Sequence, residues 1–447
     1  MIIKGGKFLV VGISKSGVSA AEFLIKRGGT VYIYDRADTD RVKRMKQPLS
    51  EQGCIELSHE QLGKIIPQLD AVVLSPGVAI DNEVPVAAKK AGVKITGEFE
   101  LGSTYCKAPF IAVTGTNGKT TTVSMIDAIL KEAGLNSFAA GNIGVPISSK
   151  VDEAENADIV VAEVSSFQLE TVKNFLPHIA CLLNFSEDHM DRHYNMTNYA
   201  FLKKRLFKNL SESEYAVLNE DCELCDEVAA ETRARKVWFS LSHETSGAYL
   251  LDGKIYYLGE YIMDEKELSM GGEHNVQNAL CAICAAKILG IENAHITSAL
   301  SGFKGVKHRI EQICTRSGKT FYNDSKATNI DSCLKAVKTM ISPTVLILGG
   351  SDKGYEFNSL FEGIKQSQVI HAVFTGECRG KLVSAALKEG FDNFTVVSDF
   401  TGAVKAAYNL CPEGGNILLS PATASFDCFS DYEERGEKFK ETAESLI

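Results

Sequence analysis

No uninterrupted apolar run in this chain approaches the roughly 20 residues that a membrane-spanning helix needs. Its opening segment, Met1-Ile-Ile-Lys-Gly-Gly-Lys-Phe-Leu-Val-Val11, is broken by glycines and charges too early for a signal h-region. No block of one charge sign marks a basic tail, and the net charge of −10 with a pI near 5.5 argues against a general affinity for nucleic acid. No internal repeat or low-complexity tract is visible. These absences set the expectation of a cytoplasmic globular protein that works on small molecules, without membrane or nucleic acid. A monomer is expected, though none of these absences bears on it. What is present fits that frame: 447 residues with 45% hydrophobic content supply several cores and about two to four domains.

Twelve cysteines are scattered through the length of the chain rather than concentrated in a short scaffold, so reduced thiols are expected. Cys222/Cys225 and Cys281/Cys284 are both C-x-x-C pairs, which together could be read as a four-cysteine zinc site. The second pair, however, sits in Asn278-Ala-Leu-Cys-Ala-Ile-Cys-Ala-Ala-Lys287, an Ala-rich helical pattern in which that spacing places two small apolar groups toward a core.

The segment Ile111-Ala-Val-Thr-Gly-Thr-Asn-Gly-Lys-Thr-Thr121 runs from an apolar strand through a turn into a helical pattern. It reads as a phosphate-binding loop. Glycines let backbone N–H groups converge on phosphate oxygens, the helix N-terminus adds its positive end, Lys119 reaches toward β/γ-phosphates and the Thr120 hydroxyl suits Mg²⁺. The match to G-x-x-x-x-G-K-[ST] is incomplete, because Val113 stands at the first glycine position. ATP is the expected ligand.

Alternating strand and helix patterns suggest an α/β fold of three units: 1–97, 98–305 and 306–447. The first opens with a strand ending at Gly12, a helix from about Val18 to Arg27 and a second strand ending at Asp35. Its turn, Gly12-Ile-Ser-Lys-Ser-Gly17, has Ser14 where a dinucleotide-binding G-x-G-x-x-G has its middle glycine, which weakens a reading as an NAD enzyme. A second strand-to-turn edge, Asp70-Ala-Val-Val-Leu-Ser-Pro-Gly77, makes Ser75 and Gly77 candidates for ligand contact. In the middle unit, the strand Asp158-Ile-Val-Val-Ala-Glu163 delivers a carboxylate at its end, placed like a metal ligand. A further strand, Ile179–Asn184, leads to Phe185-Ser-Glu-Asp-His-Met-Asp-Arg-His193, whose His189, His193, Asp188 and Asp191 could also suggest zinc on a helix. The last unit resumes βα alternation around strands at 320–324, 344–350, 372–376 and 416–421, which implies a mainly parallel sheet.

Taken in order, T-G-T-N-G-K-T-T, Glu163-Val-Ser-Ser-Phe-Gln-Leu169, Asn184-x-x-Glu-Asp-His-Met-Asp-Arg192, Gly272-Glu-His-Asn-x-x-Asn278, His308-Arg309, Asn323-Asp-Ser-Lys-Ala-Thr-Asn329 and Leu419-Ser-Pro-Ala-Thr-Ala-Ser-Phe-Asp427 resemble the Mur ligase family over essentially the whole chain. The resemblance implies a Rossmann-like UDP-binding domain, a central P-loop ATPase-like domain and a C-terminal Rossmann-like domain for the incoming amino acid. It also implies an ATP-dependent ligase. The branch it favours joins D-glutamate to the carboxylate of UDP-N-acetylmuramoyl-L-alanine through an acyl phosphate, in peptidoglycan precursor synthesis. A ligase for another amino acid, a regulatory protein on a degenerate scaffold and an NAD-dependent oxidoreductase are the rivals. The diamino-acid branch carries a D-N-P-R segment that is absent here, and intact Lys119, Glu163, His189, Lys203 and Lys326 argue against degeneracy.

Carried over residue by residue, the resemblance assigns Gly115, Thr116, Asn117, Gly118, Lys119, Thr120, Thr121, Asn275, Arg309 and Asp324 to ATP, with Asp324 on the ribose. It assigns Thr120, Glu163, His189 and Lys203 to two Mg²⁺ sites and makes Lys119, His189, Lys203 and Lys326 catalytic. The family pattern Tyr199-x-x-x-Lys203 selects Lys203 over Lys204 as a lysine carbamylated by CO₂. For the UDP-sugar it carries over Ser14, Lys15, Ser16, Asp35, Arg36, Ser75, Gly77 and Asn142. For D-glutamate it carries over Thr328, Lys353, Ser425 and Phe426, with Tyr432 where close relatives have phenylalanine.

Overall fold

A computed structural model describes residues 2–352 and 354–446. The chain divides into two compact units, residues 1–304 and 305–447. The first carries two sheets and the second carries one.

In the first sheet, β1 (Lys7–Val11), β2 (Thr30–Tyr34), β3 (Ile55–Glu56), β4 (Ala71–Leu74) and β5 (Lys94–Gly97) are all parallel, in the order β3-β2-β1-β4-β5. Strand order reverses between β1 and β4, and that switch point opens a crevice beyond their C-terminal ends. The Gly12–Gly17 and Ser75–Gly77 turns follow those two strands. The first helix spans Lys15–Lys26, starting three residues earlier than its apolar pattern suggests, with Ser14 as N-cap.

The second sheet runs β14-β13-β12-β11-β10-β9-β6-β8-β7. Its parallel part comprises β6 (Phe110–Thr114), β7 (Ser137–Gly141), β8 (Ile159–Glu163), β9 (Ile179–Leu182), β10 (Tyr215–Asn219) and β11 (Arg235–Ser240). β6, β8 and β9 are buried at every position, as the continuous apolar runs of a two-sided parallel sheet require. β12 (Ala248–Leu251) pairs parallel to β11 and continues into β13 (Lys254–Tyr257) and β14 (Glu260–Asp264), an antiparallel extension that the sequence patterns above do not anticipate. Asp252 and Gly253, at φ 49° and 72°, form the β12–β13 turn with the two positive φ values of a type I′ hairpin.

The third sheet, β15-β16-β20-β17-β18-β19, is formed by β15 (Glu311–Arg316), β16 (Lys319–Asn323), β17 (Thr344–Gly349), β18 (Val369–Thr375), β19 (Phe394–Val396) and β20 (Asn416–Leu419). It is parallel except for the β15–β16 hairpin. Its two faces bury separate apolar clusters, one around Leu346, Leu348, Phe361 and Phe374 and the other around Phe321, Ile347, Val404 and Phe439. In each sheet, turns carrying residues named above for ligands follow the C-terminal ends of parallel strands: Ser14 and Ser75 after β1 and β4, Gly115–Gly118 after β6, and Asp324 after β16.

Candidate active site

β6 ends at Thr114 and the helix Lys119–Glu132 begins five residues later, with Gly118 as its N-cap at φ 84°. A Cβ at Gly118 would meet Asn278 Oδ1 at 2.2 Å, so glycine is required both by conformation and by close approach. Asn184, just past β9, clamps the loop. Its Oδ1 accepts from Asn117 N at 2.9 Å, its Nδ2 donates to Asn117 O at 3.2 Å, and its carbonyl accepts from Thr116 N at 3.1 Å. The Thr116 hydroxyl donates to Ser186 O and accepts from Ser186 N, both at 3.0 Å. Lys119 Nζ folds over the loop and donates to Gly115 O and Thr116 O, each at 2.8 Å. This is a rigid turn of N–H groups, closed by a cation, at a helix N-terminus, which is the architecture of a phosphate cradle.

Thr120 and Thr121, in the first turn of that helix, are buried, and the Thr120 hydroxyl donates to Glu163 Oε2 at 2.6 Å. Asn142 Nδ2 donates to Glu163 Oε1 at 2.8 Å. Thr120, Glu163 and Asn142 therefore meet at one point. A hydroxyl beside a buried carboxylate suits a hard, oxygen-seeking cation. Among the described residues no group of three or more His, Cys, Asp or Glu side chains converges to hold an ion, so an Mg²⁺ here needs phosphate or water oxygens to complete its shell. The zinc readings gain no support: Cys281 and Cys284 are both fully buried in the helix Glu273–Ile288, and all twelve cysteines are free.

Lys203 is 1% exposed and donates from Nζ to Gly115 O at 2.8 Å, with its ammonium 4.5 Å from the Tyr199 ring centre. Desolvation, reinforced by the Lys119 charge, holds its pKa well below the ordinary lysine value. Its neighbour Lys204 instead pairs with Glu227 and Glu231 at 3.2 and 2.6 Å. His189 sits at the entry to a short helix at φ 56°, 3.5 Å from Asp188 and packed on Phe167. His193, which the sequence left without a role, is buried; its Nε2 hydrogen-bonds the Ser166 hydroxyl at 2.9 Å and its ring stacks on Tyr199.

At the first sheet, Asp35 accepts from Ile13 N at 2.6 Å and from Ala37 N at 2.9 Å. The Ser75 hydroxyl donates to Gly12 O at 2.6 Å and accepts from the Ser14 hydroxyl at 3.3 Å, joining the two turns at the switch point. Lys15 and Arg36 are exposed beside them, while Ser16 is half-buried. Arg192 closes the Asn184–Arg192 motif, and its role emerges only from the fold. Its guanidinium grips the turn after β4, donating to Pro76 O, Gly77 O and Val78 O at 3.4, 3.2 and 3.1 Å, and pairs with Glu170 at 2.9 and 2.7 Å.

In the helix Glu273–Ile288, Asn275 Nδ2 donates to Gly271 O at 2.9 Å, while Asn278 accepts from the Thr122 hydroxyl at 3.2 Å. Asn278 thus joins the phosphate-loop helix, a role the second asparagine of its motif could have signalled.

In the second unit, Asp324 is buried just past β16, accepting from the Ser420 hydroxyl at 2.7 Å and from Ile310 N at 3.3 Å. Burial pushes its carboxyl up to about 7 against the opposing pull of Ser420 and Arg309. The buried Nε of Arg309 has no hydrogen-bond partner among the described residues, and such an orphaned donor beside a carboxyl marks a place for a ligand. Lys326 N donates to His308 O at 3.0 Å, Thr328 N to Lys326 O at 2.9 Å, and the Lys326 ammonium lies 5.2 Å from the Tyr432 ring centre. Ser425 is buried and Phe426 is exposed; Lys353 lies outside the described residues. Arg435, which carried no motif signal, is 2% exposed and ties the segment together. It donates to Ser325 Oγ, Ser325 O, Thr423 O and Ala424 O at 2.8–3.2 Å.

A parallel-sheet protein with a cation-closed phosphate cradle beside a hydroxyl–carboxylate pair is a nucleotide-handling α/β protein. Residues 6–97 match the Mur ligase MurD-like N-terminal domain, 113–286 the Mur ligase middle domain and 308–423 the Mur ligase glutamate ligase domain. A UDP-N-acetylmuramoylalanine–D-glutamate ligase from Pelotomaculum thermopropionicum is 40% identical, covering 98% of both chains. One of the same name from Caldanaerobacter subterraneus is 38% identical over the full length of both. The chain belongs to the Mur ligase family. The solved structure of UDP-N-acetylmuramate–alanine ligase MurC from Thermotoga maritima shares the fold, with a TM-score of 0.64 at 21% identity over 98% of this chain and 99% of that one.

Proposed function

We propose that this chain is an ATP-dependent ligase that joins D-glutamate to UDP-N-acetylmuramoyl-L-alanine, in the cytoplasm, as a step of peptidoglycan precursor synthesis. The observation that carries the chemistry is the convergence of the phosphate cradle, Lys119, the Thr120–Glu163 pair and the buried Lys203. The full-length likeness to D-glutamate ligases supports the choice of substrates.

An unactivated carboxylate reacts poorly with an amine near neutral pH. In the proposed reaction a substrate carboxylate oxygen attacks the γ-phosphorus of ATP, and the bond to the β-bridging oxygen breaks, giving an acyl phosphate and ADP. The D-glutamate amine then attacks the acyl carbon, inorganic phosphate leaves, and the amine gives up a proton. The protein's part is positioning and charge compensation. Gly115–Thr121 cradle phosphates, Lys119 offsets their charge, Asn275, Arg309 and Asp324 hold the rest of ATP, and Lys326 meets phosphate oxygens. Thr120, Glu163, His189 and Lys203 would hold Mg²⁺ at two sites, where the ions neutralise charge on the transferring phosphoryl group. The depressed Lys203 amine suits carbamylation, R–NH₂ + CO₂ → R–NH–COO⁻ + H⁺, which turns a cation into a carboxylate. Ser14, Lys15, Ser16, Asp35, Arg36, Ser75, Gly77 and Asn142 take the UDP-sugar, and Thr328, Lys353, Ser425, Phe426 and Tyr432 the amino acid.

Phosphate release with ATP, Mg²⁺ and UDP-N-acetylmuramoyl-L-alanine should require D-glutamate and stay at background with alanine or a diamino acid. Positional oxygen exchange in ATP should need the UDP-sugar peptide but no D-glutamate. Equal turnover with another amino acid would sink the substrate assignment.

A further inference from the structure

His193 closes the short helix Met190–His193 and is 2% exposed, yet the chemistry above gives it no part. It joins three segments, each carrying one residue assigned to Mg²⁺. Its Nε2 hydrogen-bonds the Ser166 hydroxyl at 2.9 Å, and Ser166 follows closely on Glu163 at the end of β8. On its own helix, its backbone N–H donates to His189 O at 2.9 Å, and Phe167 packs against both rings, 4.8 Å from His189 and 5.3 Å from His193. The third contact is the Tyr199 ring, stacked on the imidazole at 4.9 Å and 12°, one turn before Lys203 on the helix Met196–Lys204.

Tyr199 in turn bears on Lys203. Its ring is 2% exposed, packs 5.1 Å from Phe185, and carries a hydroxyl 3.4 Å from that of Thr116. The Lys203 ammonium lies 4.5 Å from the ring centre while donating to Gly115 O at 2.8 Å. Side chains one turn apart on a helix share a face, so the plane of the buried ring limits where Lys203 Nζ can stand. The stack on His193 sets that plane, since aromatic pairs hold preferred geometries.

We propose that His193 is a positioning residue: it ties together the segments bearing Glu163, His189 and Lys203, and through the Tyr199 ring it places the Lys203 side chain for the metal ion that Lys203 helps to hold. This role rests on Lys203 belonging to a metal site, as proposed above. The two contacts of the ring act differently. The stack places Lys203, whereas the Nε2 hydrogen bond satisfies the buried Ser166 hydroxyl and contributes stability.

The test titrates full-length protein and β,γ-imido-ATP with Mn²⁺ and reads free Mn²⁺ by electron paramagnetic resonance, which needs no turnover. The parent should bind two ions and Lys203→Ala one, which identifies the event that depends on Lys203. His193→Gln keeps a group able to hydrogen-bond Ser166 but loses the stack, so that event should weaken about tenfold or more while the other is unchanged, the scale set by groups that orient a metal ligand. His193→Phe keeps a stacking ring but loses the hydrogen bond, so its melting temperature should fall while both ions bind as in the parent. Ser166→Ala removes the same hydrogen bond with the imidazole in place and should behave like His193→Phe. Equal weakening in His193→Gln and His193→Phe would reduce His193 to a packing residue, and no weakening in His193→Gln would show that Lys203 finds its place without the stack; either result overturns the proposal. A parent that binds one ion, or a Lys203→Ala that still binds two, would strike the assignment of Lys203 to a metal site, and the role of His193 with it.

Discussion

Lys203 and Lys204 are consecutive on one helix, and burial separates their chemistry. Glu231 and Glu227 hold Lys204 charged, whereas desolvation and the Lys119 charge favour a neutral amine at Lys203. Lys203→Ala should therefore lower ligation by about 100-fold or more, the scale of removing one group that stabilises transition-state charge. Short carboxylic acids should partly restore it by placing oxygens in the vacated space. Lys204→Ala loses exposed pairs and should stay within about threefold of the parent, since such pairs contribute little. Equal losses in the two variants, in a steady-state phosphate assay, would remove Lys203 from the metal site. Asp324 gives a second residue-scale outcome. Its carboxyl moves from an ordinary 3.8 to about 7 on burial, so the folded state binds the proton more tightly. The resulting stability is complete below about 3.8 and is lost as pH rises through about 7. The melting temperature of the parent should fall relative to that of Asp324→Asn between pH 5 and pH 8. A constant difference between the two across that range would show that Asp324 titrates normally. At this scale the sequence was legible where spacing carries chemistry, as in the Gly118-Lys119-Thr120 loop. It was silent on Arg435, because that guanidinium answers to the carbonyls of Ser325, Thr423 and Ala424, which backbone folding alone brings together.

Among elements, the short helix Met190–His193 ties the segment bearing His189 to the turn after β4 through Arg192. The guanidinium is 15% exposed and its partner Glu170 6%, so cutting the charge pair alone leaves a shielded carboxylate without its cation. Arg192→Met should destabilise the protein and raise the KM for the UDP-sugar peptide about tenfold or more, because the Pro76–Val78 carbonyls lose their fork. Arg192→Met combined with Glu170→Gln should recover much of the stability but not the KM. Recovery of both, measured by thermal unfolding and initial rates, would reduce Arg192 to a structural pair. Strands buried on both faces, such as β6, β8 and β9, are legible as apolar runs. The β12–β14 extension is not, since its strands are part-exposed and mix tyrosines with charges. Its Asp252-Gly253 turn was a readable hairpin signal that the alternation of βα units overshadowed.

For the whole molecule, the division at Gly305 has an energetic meaning. Residues 305–447 own a complete six-stranded sheet with an apolar cluster on each face, including fully buried Phe321, Leu346, Ile347, Leu348, Phe374 and Phe439. A chain of roughly 140 residues buries enough of its surface to fold independently. Arg435 pins Ser325, Thr423 and Ala424 using residues of this unit alone. The isolated fragment 305–447 should therefore unfold in one cooperative thermal transition and protect the amides of β17, β18 and β20 from hydrogen exchange. It should show no phosphate release, because the cradle at Gly115–Thr120 and the Thr120–Glu163 pair belong to the other unit. Arg435→Met should lower the fragment's midpoint and the corresponding transition of the full chain alike, since both lose the same four contacts. A fragment that exchanges its sheet amides as fast as an unfolded chain would mean that the second unit's stability depends on residues before Gly305, and that contact density alone does not locate a folding boundary here.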